Sequence, residues 1–197
     1  MPKEIALTGG FAQPVFEAQA AFRLLMDAMA RPGSLHKVEA DVAAPGGVGP
    51  AQAALALTLV DADTPIWFDA PTPDLSAWIS FHTGARLATG PDEAAFAFIG
   101  RGAAMPDGLP LGTQDYPDRS ATVVIEVDSF GAGEHLWLAG PGIEGTCDLA
   151  VAGLPSGLAG LLADNRVLFP RGLDFVLTSG RDLVALPRST RLVPKES

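Results

Sequence analysis

The most constraining feature of the sequence is a ten-residue segment, AQAALALTLV at residues 51–60, that has almost no polar side. A helix that is apolar all round must be covered on every side, so we expect this one in the interior of the protein. A short apolar run at residues 66–68 follows it after a turn and has the character of a strand. The segment therefore indicates a substantial core that contains both helices and strands.

Helices and strands alternate along the rest of the chain. Helical spacing of apolar residues, with caps and breakers, predicts helices at residues 14–30, 51–60, 73–83 and 156–166. Short apolar runs predict strands at residues 66–68, 94–99, 121–127, 135–139, 173–178 and 183–186. We expect two hairpins, one through Gly131 and Gly133 and one through the turn at residues 179–182. The alternation predicts an α/β fold, a mixed sheet flanked by helices, in one domain spanning residues 1–197.

The first helix ends abruptly at an Arg-Pro-Gly-Ser sequence, residues 31–34. Proline disfavours helical dihedrals in the residue before it, and the Pro-Gly pair has the order preferred in a type II turn. The turn could therefore simply end the helix, or it could also line a cleft or an interface. The buried face of the helix is predicted from its apolar stripe, which consists of Val15, Phe22, Leu25, Met26 and Met29.

Composition excludes several classes of protein. Apolar residues make up 48% of the 197 residues, which is too many for a disordered chain. The start of the sequence lacks the pattern of a signal peptide and no apolar run is long enough to span a membrane, so we expect a cytoplasmic protein. Cys147 is the only cysteine, which excludes an internal disulfide and a cysteine-ligated cluster or zinc site built by this chain alone.

The charge balance argues against nucleic acid and membrane partners. The formal net charge is −10 and the isoelectric point is near 4.6, whereas binding to phosphate backbones or anionic lipid needs clustered basic residues. The basic residues are ten arginines and only three lysines, Lys3, Lys37 and Lys195.

Familiar catalytic motifs are not supported by their context. Residues 140–145 match G-x-G-x-x-G, but Pro141 removes a backbone N–H, and a hairpin rather than a strand-helix-strand unit surrounds the motif, so we interpret it as a loop. The lysines do not fit a P-loop, and there is no H-E-x-x-H pair for zinc. Residues 153–157 lack the spacing of a nucleophile elbow, and Ser156 is interpreted as a helix cap. We therefore assign no catalytic and no metal-binding residue.

Two groups of residues remain as candidates for chemistry. His82 shares a helix face with Leu75, Trp78 and Ile79, so it is either a packed histidine satisfied by a backbone carbonyl or a residue that faces a cleft. Four arginines lie next to proline, glycine or helix turns, where a guanidinium could hold phosphate or carboxylate; the alternative is ion pairing with acidic neighbours. They are Arg23, Arg31, Arg171 and Arg188.

Six stretches, in this order, resemble the PhnH family, the H subunit of the bacterial carbon-phosphorus lyase system for phosphonate use. They are FRLLMDAMARPG (22–33), LTLVDADTPIW (57–67), FHTGA (81–85), YPDRSAT (116–122), LAGPGI (138–143) and FPRGLDFVLTSGRDLVALPRST (169–190). Thr83 and Tyr116, which lie within two of these stretches, complete our set of candidate anion-binding or cleft residues with His82 and the four arginines.

The resemblance implies an α/β fold similar to that of pyridoxal-phosphate-dependent transferases, without the cofactor. The residues agree, because a Schiff base needs a lysine and only Lys37 lies in the body of the chain, in an exposed strand. The resemblance also implies a homodimer that joins the G, I and J subunits in a core complex. With further partners, that complex makes alpha-D-ribose 1-alkylphosphonate 5-triphosphate from ATP and phosphonate, and the J subunit carries the iron-sulfur cluster.

Three hypotheses follow for function. The first is a mainly structural subunit in organic phosphonate catabolism, not catalytic alone, whose cleft could hold a phosphorylated ligand. The second is a subunit that contributes His82 and the arginines Arg23, Arg31 or Arg188 to the synthase step. The third is a stand-alone phosphate-ester binding protein.

Overall fold

The computed structural model describes residues 8–195. Lys3 and most of the N-terminal start that was compared with a signal peptide lie outside the described residues. The helices are α1 (Pro14–Ala30), α2 (Pro50–Leu59), α3 (Pro73–Thr83) and α4 (Leu158–Leu168). The strands are β1 (His36–Lys37), β2 (Ile66–Phe68), β3 (Phe96–Ile99), β4 (Thr122–Glu126), β5 (Ser129–Ala139), β6 (Cys147–Ala152), β7 (Asp174–Ser179), β8 (Asp182–Leu186) and β9 (Arg191–Leu192).

A six-stranded mixed sheet forms the centre, which confirms the predicted mixed α/β class. Its order is β1-β8-β7-β4-β3-β2, in which β2, β3, β4 and β7 are parallel and β8 and β1 are antiparallel to their neighbours. A separate antiparallel sheet has the order β6-β5-β9. The hairpin of β7 and β8, turning through Gly180, is the one predicted at residues 179–182.

Alternate residues of the central strands face two different cores. Val124 and Val176 face a core with helices α1, α2 and α3, whereas Val123 and Phe175 face a core with β5, β6 and α4. Helix α2 lies over β4 and β7 with α1 and α3 beside it. Its apolar character is thereby explained, since its residues 51–56 are all buried.

The predicted hairpin through Gly131 and Gly133 is wrong. Strand β4 pairs with β3 and β7, whereas β5 leaves the central sheet and pairs with β6 and β9. Both glycines lie within β5, where the register with β6 shifts between Phe130 and Glu134. The predicted strands of this region are real, but their pairing is decided by segments far away in the sequence.

Two details of the helices also differ from the predictions. Helix α1 has the predicted bounds, but its buried residues are Ala21, Leu25 and Ala28, while Val15, Phe22 and Met26 are exposed. Small alanines allow the helix to approach its neighbours closely, and the bulkier residues are left outside. Ser156 does not cap α4, because the N-cap residue is Gly157, with φ of 89° and no side-chain cap.

The Arg-Pro-Gly-Ser turn that ends α1 is formed as predicted, and its Pro32 is buried. The N–H of Ser34 donates to the carbonyl of Arg31 at 3.1 Å, and Gly33 has φ of 83°, as a type II turn requires. A Cβ on Gly33 would lie 2.9 Å from Sγ of Cys147 in the second sheet. The turn therefore joins α1 to the second sheet.

Among residues 8–195, none of the helices combines the length and the apolar character that crossing a bilayer would need.

Candidate functional site

The carboxyl ends of the parallel strands meet at one edge of the central sheet, which is where open α/β sheets usually bind ligands. A cavity of about 180 Å³ lies at this edge. The glycine-containing loop at residues 46–48, the ends of β2 and β3 and Leu75 of α3 line it. The fold therefore places a small concavity at the position where a ligand would be expected.

Glu126, the last residue of β4, is buried beside this cavity and is held by the fold. Its carboxylate accepts hydrogen bonds from Oγ1 of Thr178 at 2.6 Å and from the N–H of Gly180 at 2.9 Å, and Nη2 of Arg101 lies 3.6 Å away. A Cβ on Gly49, just before α2, would lie 2.6 Å from Oε2. The carboxylate thus links β4, the β7–β8 turn and the start of α2.

The other polar groups at this edge also have partners within the protein. Oδ1 of Asp69 accepts from the N–H of Gly100 at 3.1 Å. The buried amide of Gln52 donates to the carbonyls of Ile99 and Val124 at 3.0 and 3.3 Å. The first contact joins the ends of β2 and β3, and the bonds of Gln52 join α2 to the end of β3 and the middle of β4.

This arrangement is suited to structure more than to catalysis. Two carboxylates, those of Glu126 and Asp128, lie 3.6 and 3.5 Å from the guanidinium of Arg101. Arg101 is 55% exposed and is the group available to a small polar ligand. Within the described part of the chain, no group of three or more His, Cys, Asp or Glu residues is arranged to hold a metal ion.

Sequence reasoning missed Arg101 and Glu126. A usable signal was present, because both follow or end buried apolar strands, and polar residues at the carboxyl ends of neighbouring parallel strands converge. The signal can be used only when β3 and β4 are known to be parallel neighbours. From the sequence we paired the β4 segment with β5 instead, so the two residues were not brought together.

His82 packs between aromatic side chains at the end of α3. Its ring centroid lies 4.8 Å from that of Trp78 and 4.9 Å from that of Phe81, and a Cβ on Gly10 would meet the ring at 2.5 Å. Burial lowers the pKa of His82, while a hydrogen bond with the Thr8 backbone acts in the opposite direction. Nε2 is buried without a hydrogen-bond partner among residues 8–195. The geometry favours the packing interpretation of this histidine.

Arg188 is the most firmly held of the predicted arginines. Nε lies 3.1 and 3.2 Å from the two carboxylate oxygens of Asp174, to which Nη2 also donates, and the two side chains are only 16% and 15% exposed. Nη1 donates to the carbonyls of Pro117 and Pro170 at 2.6 and 3.5 Å. Arg188 thereby brings the segments that carry Tyr116 and Arg171 together.

The remaining candidates lie in separate places. Arg23 and Arg31 are exposed on and just after α1, and Arg31 forms an ion pair with Asp27 at 3.1 Å. Oγ1 of Thr83 donates to the carbonyl of Ile79 at 2.8 Å, which uses its hydroxyl at the end of α3. The guanidinium of Arg119 stacks 4.1 Å from the centroid of the exposed Tyr116 ring. The seven predicted residues therefore do not form one site.

Comparison with known proteins gives consistent matches along almost the whole chain. The model of the family described as "Bacterial phosphonate metabolism protein (PhnH)" matches residues 9–193. The chain is 48% identical over 189 residues, 94% of each protein, to the alpha-D-ribose 1-methylphosphonate 5-triphosphate synthase subunit PhnH of Rhizobium meliloti (strain 1021). It is 34% identical over 175 residues, 88% of this chain and 85% of the relative, to the putative C-P lyase subunit protein HtxG of Stutzerimonas stutzeri.

Proposed function

The chain belongs to the PhnH family of bacterial phosphonate metabolism proteins, and from that premise we propose that it is a subunit of the carbon-phosphorus lyase core complex. In organic phosphonate catabolism it is needed, with partner subunits, to make alpha-D-ribose 1-alkylphosphonate 5-triphosphate from ATP and phosphonate. The observation that carries this proposal is the 48% identity, over 94% of both chains, to a subunit of that synthase.

The structure supports a mainly structural contribution by this subunit. At the carboxyl edge of the sheet, the carboxylates of Asp69 and Glu126 are used in holding strands and α2 together. His82 is packed among aromatic rings, and Arg188 is paired with Asp174. Carboxylates and guanidinium groups that already have partners, and a histidine ring enclosed by aromatic side chains, are poorly placed to take up a proton or a transferred group.

An apolar stripe on α1 supports association with other chains. Val15, Phe22 and Met26 are exposed at helical spacing on one side of this helix, the exposed Phe16 lies about 100° around it, and patches of exposed apolar side chains mark interaction surfaces. We propose that the stripe mediates a homodimer, because a two-fold contact pairs a surface with its own copy and a helix stripe can pack on its equivalent. The homodimer joins the G, I and J subunits, and the single-domain subunit works in the cytoplasm.

We also propose that the fold is that of a pyridoxal-phosphate-dependent transferase that works without the coenzyme. Lys37 is exposed on β1, a two-residue strand at the margin of the central sheet. An amine in that position lacks the enclosing pocket that a coenzyme needs, so the residues present do not fit this group. Titration with pyridoxal phosphate should show no saturable aldimine absorbance, and borohydride reduction should label Lys37 no more than other exposed amines.

Co-purification tests the subunit assignment. A tagged chain expressed together with the rest of the phosphonate system should be recovered with the other core subunits in a fixed ratio. Recovery of the chain alone, when all subunits are present in the lysate, contradicts the assignment and favours the stand-alone binding protein.

The same strain separates the structural role from a catalytic one. Alanine variants at Arg23, Arg31, His82 and Arg188 should support growth on a phosphonate whenever the variant chain still assembles. A variant that assembles normally but fails to support growth identifies a catalytic contribution from that residue.

A further inference from the structure

A second concavity, of about 290 Å³, lies between the end of α4 and β9. It is lined by Pro141, Arg166, Phe169, Arg188, Ser189 and Arg191. Three of the ten arginines of the chain therefore meet at one place, and the lining contains no acidic residue, although the protein carries a net charge of −10. We propose that this arginine groove, defined by these six residues, binds the phosphate group of a phosphate ester.

Two of the three guanidinium groups are available to a ligand. Arg166 and Arg191 are exposed, and neither side chain has an ion pair or a hydrogen bond to another of residues 8–195. Each guanidinium carries five N–H donors in a planar fork that matches the oxygens of phosphate. Charge-assisted hydrogen bonds of this kind are stronger than neutral ones.

The third arginine holds the groove in shape. The guanidinium of Arg188 is fixed by Asp174 and by the carbonyls of Pro117 and Pro170, so its own charge is largely balanced. Arg188 is therefore a positioning residue, and Arg166 and Arg191 are the residues that contact the ligand.

The rim that carries Phe169 is also fixed. The buried amide of Asn165 donates to the carbonyl of Leu173 at 2.8 Å, and its oxygen accepts from the N–H of Leu173 at 2.9 Å. These two bonds close the loop that connects α4 with β7. The backbone of this rim is therefore fixed before binding, and the conformational entropy lost on binding comes mainly from ordering the side chains of Arg166 and Arg191.

The organic part of the ligand has a natural place in the groove. The ring of Phe169 is 60% exposed and, with Pro141, forms an apolar wall beside the arginines. A ribose or a nucleobase can pack on such a wall while its phosphate contacts the guanidinium groups. The arginines alone would fit carboxylate as well, and the choice of phosphate rests on the function proposed above.

Calorimetric titration of the full chain tests the site. Ribose 5-phosphate and ATP should bind saturably, more tightly than inorganic phosphate, and binding should weaken as salt is added. Arg166→Ala and Arg191→Ala should each weaken binding by about tenfold or more, since each removes charge-assisted hydrogen bonds. Phe169→Ala should remove the preference for esters over inorganic phosphate.

Arg86→Ala is the matched control, because Arg86 is exposed, lies outside the groove and carries the same charge. It should leave the affinity unchanged. The site is disproved if no phosphate probe binds, if succinate binds as tightly as the esters, or if Arg86→Ala weakens binding as much as the groove variants. If the chain co-purifies with its partners but binds no phosphate probe, the site is wrong and the subunit assignment stands. If the chain binds the probes but is recovered without partners, the subunit assignment is wrong and the site stands.

Discussion

Gly49 shows how closely the carboxyl edge of the sheet is packed at the level of single atoms. Its backbone dihedrals, φ −65° and ψ 153°, are accessible to any residue, so its lack of a side chain is required by space alone. A methyl group there would lie 2.6 Å from Oε2 of the buried Glu126. We expect Gly49→Ala to lower the free energy of unfolding by about 1–3 kcal/mol, the usual cost of overpacking, as measured by urea denaturation.

Gly160 provides the matched control for this substitution. It lies within α4, and a Cβ there would meet open space. Gly160→Ala should therefore raise the free energy of unfolding by roughly 0.5–1 kcal/mol, because alanine favours the helix. Equal effects of the two substitutions would contradict the proposed contact between Gly49 and Glu126.

His82 makes the stability of the protein depend on pH in a defined direction. Burial lowers its pKa from the usual value of about 6.5, so the unfolded chain binds a proton more readily than the folded protein. The full stability is therefore present above about pH 6.5, and part of it is lost as the pH falls toward the folded-state pKa. Urea denaturation at pH values from about 5 to about 7.5, where histidines titrate, measures how the free energy of unfolding changes with pH.

His82→Gln removes the titrating group and should flatten that part of the slope. A constant offset between the variant and the original protein at high pH would report the loss of packing against Trp78 and Phe81. The same slope in both proteins across this range would show that His82 does not cause the pH dependence.

At the scale of elements, the ends of α1 and α3 were predicted better than the buried face of α1. These ends are determined by neighbouring residues and are therefore visible in the sequence. Pro14 begins α1, the Pro-Gly turn ends it after Ala30, and Thr72 caps α3 through its Oγ1, which accepts from the N–H of Leu75 at 3.1 Å. The face of α1 that is buried depends on what it meets. Its alanines, rather than the larger Phe22 and Met26, fit against α2 and β8.

The pairing of β4 was predicted wrongly for a similar reason. The segments of β4 and β5 follow each other within a few residues and resemble a hairpin, but β4 is buried on both faces between β3 and β7. Such a strand is a near-continuous apolar run, which is typical of parallel sheets. That difference between β4 and the more exposed β5 was the available signal for two separate sheets.

The exposed stripe of α1 predicts a separation between stability and association. Phe22 and Met26 are 48% and 53% exposed, so Phe22→Ser with Met26→Ser should lower the free energy of unfolding by only about 1–2 kcal/mol and leave the chain folded. The homodimer should dissociate, as measured by light scattering. Val167→Ser, a change at an exposed apolar residue on α4, is the control and should leave the dimer intact. A double variant that remains dimeric places the interface elsewhere.

At the scale of the whole molecule, the candidate sites lie where distant segments meet. The arginine groove combines the end of α4 with the connection between β8 and β9, and sequence reasoning found only its Arg188. Arg166 and Arg191 had no distinguishing neighbours in the sequence. Their proximity arises because α4 packs beside β9, which is a property of the tertiary structure.

The two cores share the strands of one sheet, and from this we expect the chain to unfold as a single unit. Trp78 is fully buried in the core with the helices, whereas Leu138 is fully buried in the core with the second sheet. In a chain whose other tryptophans, Trp67 and Trp137, are replaced by phenylalanine, fluorescence reports on Trp78 alone. Leu138→Ala should then lower the free energy of unfolding by about 2–5 kcal/mol, and the fluorescence and circular dichroism midpoints should fall together.

Leu55→Ala, on the same side as Trp78, is the matched substitution and should shift both signals in the same way. The physical reason is that β4 and β7 contribute alternate residues to both cores, so neither core can open without exposing residues of the other. The opposite result would be that Leu138→Ala moves the circular dichroism transition but leaves the Trp78 fluorescence transition in place. The two cores would then unfold independently, as two folding units instead of one domain.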